Sequence, residues 1–131
     1  MNYKLFKKNF LWFGLSSCAT TLFSCIFMPE KYFNGEMGET RKAALLLHEV
    51  THVRQWQNYG FWYCLSWIFS TSRRRKWEME AYRTQILYVF RQEGSVDIDA
   101  WCKMITELYG IFGFISYNEC KKEIEDWLKI E

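Results

Sequence analysis

His48 and His52 are the only histidines in the chain, and they stand four residues apart with Glu49 between them. On a helix, positions i and i+4 lie one above the other on a single face, so two imidazoles spaced this way can reach one metal ion. Glu49 is rotated by roughly 100° from His48. That rotation makes it a poor ligand but places its carboxylate at the border of the ion's open position. A carboxylate there can take a proton from zinc-bound water and pass it to a leaving amine. The segment His48-Glu49-Val50-Thr51-His52 is therefore expected to provide two zinc ligands, His48 and His52, and a general base, Glu49. The alternative is a helix with two incidental histidines. The apolar run Ala43 to Leu47 favours a site, because it buries the start of the helix and sets the imidazoles on a dry wall.

A catalytic zinc needs a third protein ligand and an open fourth position. There is no third histidine, and the cysteines are irregularly placed, so a carboxylate on a neighbouring helix is expected. Glu78 and Glu80 are two apart, about 200° on a helix, so only one of them can face the ion. The face of Glu78 continues with Tyr82 and Gln85, and that of Glu80 with Arg83, Thr84 and Leu87.

These residues need two long helices to carry them. Helical spacing predicts the first over Arg41–Asn58, capped by Thr40 and ended by Gly60. Phe61–Phe69 is too short to span a membrane as a helix and reads as a buried helix. Ser70-Thr71-Ser72 offers caps for a second long helix from about Arg73 to Gln92, closed by Gly94. A further helix is expected from Ser95 or Asp97 to about Tyr109, with breaks at Gly110 and Gly113. Ser116 and Glu119 form a capping box for a last amphipathic helix ending near Ile130. Upstream, residues 3–15 suit a short apolar helix, residues 19–28 a strand stopped by Pro29, and residues 29–39 a loop. The fold expected is mainly α with minor β.

His-Glu-x-x-His on one helix, followed by a helix bearing Glu-x-x-Ala, resembles the gluzincin metallopeptidases, a layout shared by thermolysin-like and heat-shock-type membrane zinc proteases. In that pattern the third ligand is the glutamate three residues before the small residue. Glu78-Met79-Glu80-Ala81 matches it, so the resemblance implies Glu78 as ligand, with Glu80 as second choice. The family usually has Asp next, hydrogen-bonded to a ligand histidine; this chain has Tyr82, a candidate for supporting the histidines or an oxyanion. The stretch is also similar to small uncharacterised HExxH proteins of bacteria and phages in which His-Val-x-Gln follows the motif, as His52-Val53-Arg54-Gln55 does here. The resemblance covers residues 43–85. It leaves the rest unassigned; the length of 131 residues suits one domain, expected to be zincin-like over residues 1–131, with an active-site helix, a ligand-bearing helix and, from the residues upstream, one or two short N-terminal strands. Thr20–Met28 is then a candidate strand along a substrate groove, pairing with an extended peptide; a core strand or membrane segment is the other reading. Tyr59 is a second oxyanion candidate, and Arg54 and Gln55 read as exposed helix residues.

Composition narrows the remaining classes. In 131 residues, 17 basic against 15 acidic side chains leave a net charge of +2, which makes no case for nucleic acid as a partner. The cluster Arg73-Arg74-Arg75-Lys76 reads as a solvated helix start, or alternatively as a phosphate or anionic-lipid patch. Cys18, Cys25, Cys64, Cys102 and Cys120 form no C-x-x-C pair and are expected to be reduced, mostly as small apolar residues. The aromatic excess reads as core packing, with an interfacial membrane surface as the alternative. Residues 9–28 are uncharged and follow Lys4, Lys7 and Lys8. A buried helix plus strand in a cytoplasmic protein is the preferred reading. A membrane anchor or export signal is the alternative, and Leu15-Ser16-Ser17-Cys18 has the look of a lipoprotein box.

Three functions follow as expectations. The first is a zinc-dependent peptidase acting on a peptide or protein through Glu49-activated water. The second is a peptidase-like binding protein that keeps the metal site without catalysis. The third is a small membrane-associated protein in which the motif is incidental.

Overall fold

The computed structural model describes residues 2–8, 19–108 and 115–131. Its elements, in chain order, are β1 (Lys4–Lys7), β2 (Thr20–Leu22), β3 (Cys25–Met28), α1 (Glu30–Phe33), α2 (Glu39–Tyr59), α3 (Phe61–Phe69), α4 (Thr71–Glu93), α5 (Ile98–Leu108) and α6 (Tyr117–Lys129). The fold is mainly helical with minor β, as expected, but the described residues hold three short strands in one sheet where one or two were expected.

The sheet has the order β1-β3-β2, with β1 parallel and β2 antiparallel to β3. The single strand expected over residues 19–28 is instead a hairpin. Leu22 pairs with Cys25 across a two-residue turn, and Phe23 takes φ 55° there. Tight hairpin turns need positive φ, which Asn or Gly usually supplies. Here the Phe23 ring packs on Trp56 with centroids 4.6 Å apart, a contact that offsets the backbone cost. The helix expected over residues 3–15 gives way to strand β1 at Lys4–Lys7, whose backbone pairs with β3; the rest of that segment from residue 9 lies outside the described residues. Within the expected loop 29–39, Glu30–Phe33 forms one short helical turn.

Helix α2 is packed on two sides. Ile26 and Met28 of β3 meet Val53, Leu45, Leu46 and Val50 on one side. Ala44 joins Met79, Tyr82, Ile86 and Val89 of α4 on the other, in a cluster completed by Trp101, Cys102 and Ile105 of α5 and Cys120 and Ile124 of α6. α2 starts at Glu39 with Gly38 as its N-cap, two residues before the position that Thr40 suggests. It ends at Gly60, whose φ of 58° turns the chain directly into α3. Ser70 caps α4 by accepting from the Arg73 backbone N–H at 3.3 Å, and Gly94 closes that helix in the left-handed region. The Ser116–Glu119 capping box starts α6 as expected.

The expectation that α3 is buried does not hold. Phe61, Trp62, Ile68 and Phe69 face solvent, and Ser66 is its buried side chain. Among the tryptophans flanking the motif, Trp77 is buried, Trp56 and Trp67 are half-buried and Trp62 is exposed. Cys25, Cys64, Cys102 and Cys120 are free thiols, the last two fully buried; Cys18 lies outside the described residues, as do Gly110 and Gly113. Among the described residues, no helix is long and apolar enough to cross a membrane.

Candidate metal centre

Helix α2 turns His48 and His52 inward, where they are 5% and 7% exposed. Their Nε2 atoms stand 3.2 Å apart. Glu78 Oε2, from α4, lies 3.8 Å from His48 Nε2 and 3.5 Å from His52 Nε2. Three atoms at these separations share a common point about 2.0 Å from each, the length of a zinc–imidazole or zinc–carboxylate bond. His48, His52 and Glu78 could therefore hold a metal ion with little movement.

Glu80 does not share this centre. Its Oε1 accepts from Arg54 Nη2 at 3.0 Å and its Oε2 from Gln55 Nε2 at 3.1 Å. The rotation of α4 makes the choice between the two glutamates. Met79, Tyr82 and Ile86 must pack into the helical core, and that orientation sends Glu78, with Tyr82 and Gln85, into the interior.

Each candidate ligand is held by a second group. Gln55 donates its amide to Trp77 O at 3.1 Å as well as to Glu80. Its Oε1 is thereby left facing His52 Nδ1 at 3.0 Å. A ring that donates from Nδ1 presents its Nε2 lone pair to a metal. Gln55 is 2% exposed, so the expectation of an exposed helix residue fails for it; Arg54 is exposed as expected. The Tyr63 hydroxyl also lies 3.3 Å from His52 Nδ1. Trp67 Nε1 donates to Glu78 Oε1 at 3.3 Å, which leaves Oε2 turned to the imidazoles. Tyr82, where the resemblance would have Asp, stacks edgewise on His48 with centroids 4.5 Å apart. Among the described residues His48 Nδ1 is buried with no hydrogen-bond partner; the ring is packed by Tyr82, and Gln85 of the same α4 face is the side chain that favours its charged form by hydrogen bonding. Tyr59, the other oxyanion candidate, is half exposed and packs on Trp77.

Glu49 stands apart from the three ligands. It is 4% exposed, and its Oε2 accepts a hydrogen bond of 2.5 Å from Thr21 Oγ1 on β2. Burial pushes its carboxyl up, against the opposing pull of His52 and the Thr21 hydroxyl. A carboxyl raised in this way is a better proton acceptor.

The two imidazoles are driven apart in basicity. Burial and the charge on His52 push His48 down to about 3. Burial also opposes a charge on His52, but the Glu78 carboxylate, its hydrogen bond and the Glu49 charge outweigh it and hold His52 up at about 9. Without metal the charged form is thus favoured on His52, the ring nearer Glu78, and disfavoured on His48. Burial, followed by the charges of Glu78 and Glu49, pushes the Tyr63 hydroxyl up, so it stays protonated and its oxygen can accept from His52 Nδ1–H beside Gln55.

Compared with protein-family models, with curated proteins and with solved structures, the chain matches none. What it can do must be read from its own geometry. The structure brings together His48, His52 and Glu78, buries Glu49 on the same helix against Thr21, and leaves Glu80 outside. Thr21, Gln55, Tyr63 and Trp67 were not expected at the site. Gln55 had a signal, since i+3 from His52 is the same helical face. Tyr63 and Trp67 share a face of α3, but only its docking shows which face turns inward. Thr21 lies in the segment Thr20–Met28 expected to run along the site, but its contact with Glu49 follows only from the packing of the sheet on α2.

Proposed function

We propose that the chain is a zinc-dependent peptide hydrolase. The observation that carries this reading is the common point of His48 Nε2, His52 Nε2 and Glu78 Oε2, with the buried carboxylate of Glu49, from the same helix as the imidazoles, anchored by Thr21 of β2. Two imidazoles and one carboxylate are a donor set suited to zinc, and three protein ligands leave a fourth position for chemistry. The ion, when bound, supplies Lewis acidity. Glu49 accepts the proton of the attacking water and returns it to the leaving amine, while Thr21 keeps its carboxylate in place. Strand β2 is an edge of the sheet and carries Thr21, so an extended peptide laid against β2 would run beside Glu49.

A metal-holding protein without hydrolase activity is the second reading. It is favoured by burial, since His48, Glu49, His52 and Glu78 are each at most 7% exposed. The variant Glu49→Gln separates the two. Cleavage of unstructured protein substrates by the zinc-loaded chain, lost in Glu49→Gln with zinc retained, supports the hydrolase. Zinc bound at one per chain with no cleavage in either form supports the second reading, and no zinc at all removes both.

A further inference from the structure

Helix α3 is inverted relative to an ordinary surface helix. Phe61, Trp62, Ile68 and Phe69 are 70%, 56%, 58% and 81% exposed. With the half-buried Leu65 they cover an arc of about 120°, at about 100° per residue. The opposite face holds Tyr63, Ser66 and Trp67, two of which reach the candidate metal centre. Folding alone favours the reverse arrangement, because apolar side chains gain by leaving water. An exposed face of this kind marks a contact surface.

Charge indicates what the face meets. From residue 50 to residue 77 there is no acidic side chain, while Arg54, Arg73, Arg74, Arg75 and Lys76 are basic. Arg74 is committed to closing α3, donating to Trp67 O at 2.8 Å and Ile68 O at 2.9 Å. Arg75 is committed to Glu119 and Glu123 of α6. Arg73 and Lys76 are exposed, and neither has an ion-pair partner among the described residues. The Arg73 guanidinium sits 5.7 Å from the Trp62 ring centre, at the rim of the apolar face.

We propose that α3 and the first turns of α4 dock flat on an anionic membrane surface. Its nine residues span about 14 Å, far less than the ~30 Å hydrocarbon layer, so the helix lies in the interface rather than across it. Phe61, Trp62, Leu65, Ile68 and Phe69 enter the boundary between headgroups and acyl chains, and Arg73 and Lys76 meet lipid phosphates. A second copy of the chain fits less well, because a two-fold contact through this face would bring the same uncompensated cations together.

The test is co-sedimentation of the purified full chain with phosphatidylcholine vesicles, with and without phosphatidylglycerol. Binding to the anionic vesicles is expected, with and without chelator, and is expected to weaken with salt. Phe61→Ser with Phe69→Ser, and separately Arg73→Glu with Lys76→Glu, should each weaken it by roughly tenfold or more. Both pairs are exposed, so an unchanged circular-dichroism melt confirms that the fold survives. Undiminished binding in both variants, equal binding to neutral vesicles, or no vesicle binding with self-association abolished by the Phe61/Phe69 change would each overturn the proposal. None of these readouts depends on metal or hydrolysis, so this proposal and the hydrolase reading fail separately.

Discussion

Thr21, on the edge strand of the sheet, donates its hydroxyl hydrogen to Glu49 Oε2 at 2.5 Å, and the same hydroxyl lies 3.3 Å from the Glu49 carbonyl oxygen. This pair ties the N-terminal sheet to the acid of the His-Glu-x-x-His helix. It fixes the Glu49 carboxylate, the proposed proton carrier, without making it a member of the candidate ligand set.

Thr21→Val keeps the shape of the strand and removes the donor. Zinc affinity is expected to stay unchanged, because Thr21 touches no ligand. Hydrolysis by the zinc-loaded chain is expected to fall by roughly tenfold, a share of the 10²–10⁴ that a positioned general base contributes. Loss of zinc in Thr21→Val, measured by metal analysis after gel filtration, would show that the sheet supports the whole centre.

The two glutamates of α4 should separate cleanly. Glu78→Gln is expected to lower zinc affinity by more than the roughly 10–100-fold that an outer partner costs. Glu80→Gln should leave it within a few-fold. Glu80 pairs with an exposed Arg54, whose side chain is 49% exposed, so its loss should cost at most about 1 kcal/mol of stability. Competition titration with a chromophoric chelator reads both affinities, and the reverse ranking would refute the assignment.

Gln55→Leu removes the acceptor at His52 Nδ1 and leaves the two ligand rings in place. Zinc affinity is expected to drop by roughly 10–100-fold, the usual effect of losing such a partner. An unchanged dissociation constant would mean that Tyr63, 3.3 Å from the same nitrogen, suffices to orient the ring.

The metal-free protein should show an unusual pH response. His52 is raised to about 9 from an ordinary 6.5, so its contribution to stability is full below 6.5 and is lost as pH rises through 9. His48 is lowered to about 3, so its contribution is full above 6.5 and is lost as pH falls towards 3. The contribution of the pair therefore peaks near 6.5. The chain has only two histidines, so NMR titration of the chelated protein should show one imidazole neutral near pH 5 and the other charged near pH 8. Two ordinary titrations near 6.5 would sink the idea of a buried, coupled pair. Zinc should release about one proton near neutral pH as it displaces the one on His52.

Features that depend on neighbours along the chain were legible beforehand. Ser116 and Glu119 announce the start of α6 because a capping box is complete within four residues. Gly60 and Gly94 announce the ends of α2 and α4 because a left-handed turn there suits glycine. The hairpin at Phe23-Ser24 was not legible, since its turn lacks the usual Asn or Gly and leans on a ring contact with Trp56, 33 positions further on. The exposure of α3 was hidden too: nine apolar-rich residues read the same whether a core or a membrane covers them.

His48 and His52 share a face because four residues make about one helical turn, and the same periodicity puts Glu78, Tyr82 and Gln85 together. The sequence by itself determined those groupings. It left open which way each face points. The docking of Met79, Tyr82 and Ile86 into the helical core rotates Glu78 to the imidazoles and Glu80 to Arg54. The packing of Ile26 and Met28 against α2 brings Thr21 to Glu49. Periodicity is a property of one helix, whereas the rotation of a helix and the approach of a strand are set by long-range packing. Only the tertiary structure could turn two separate motifs into one centre.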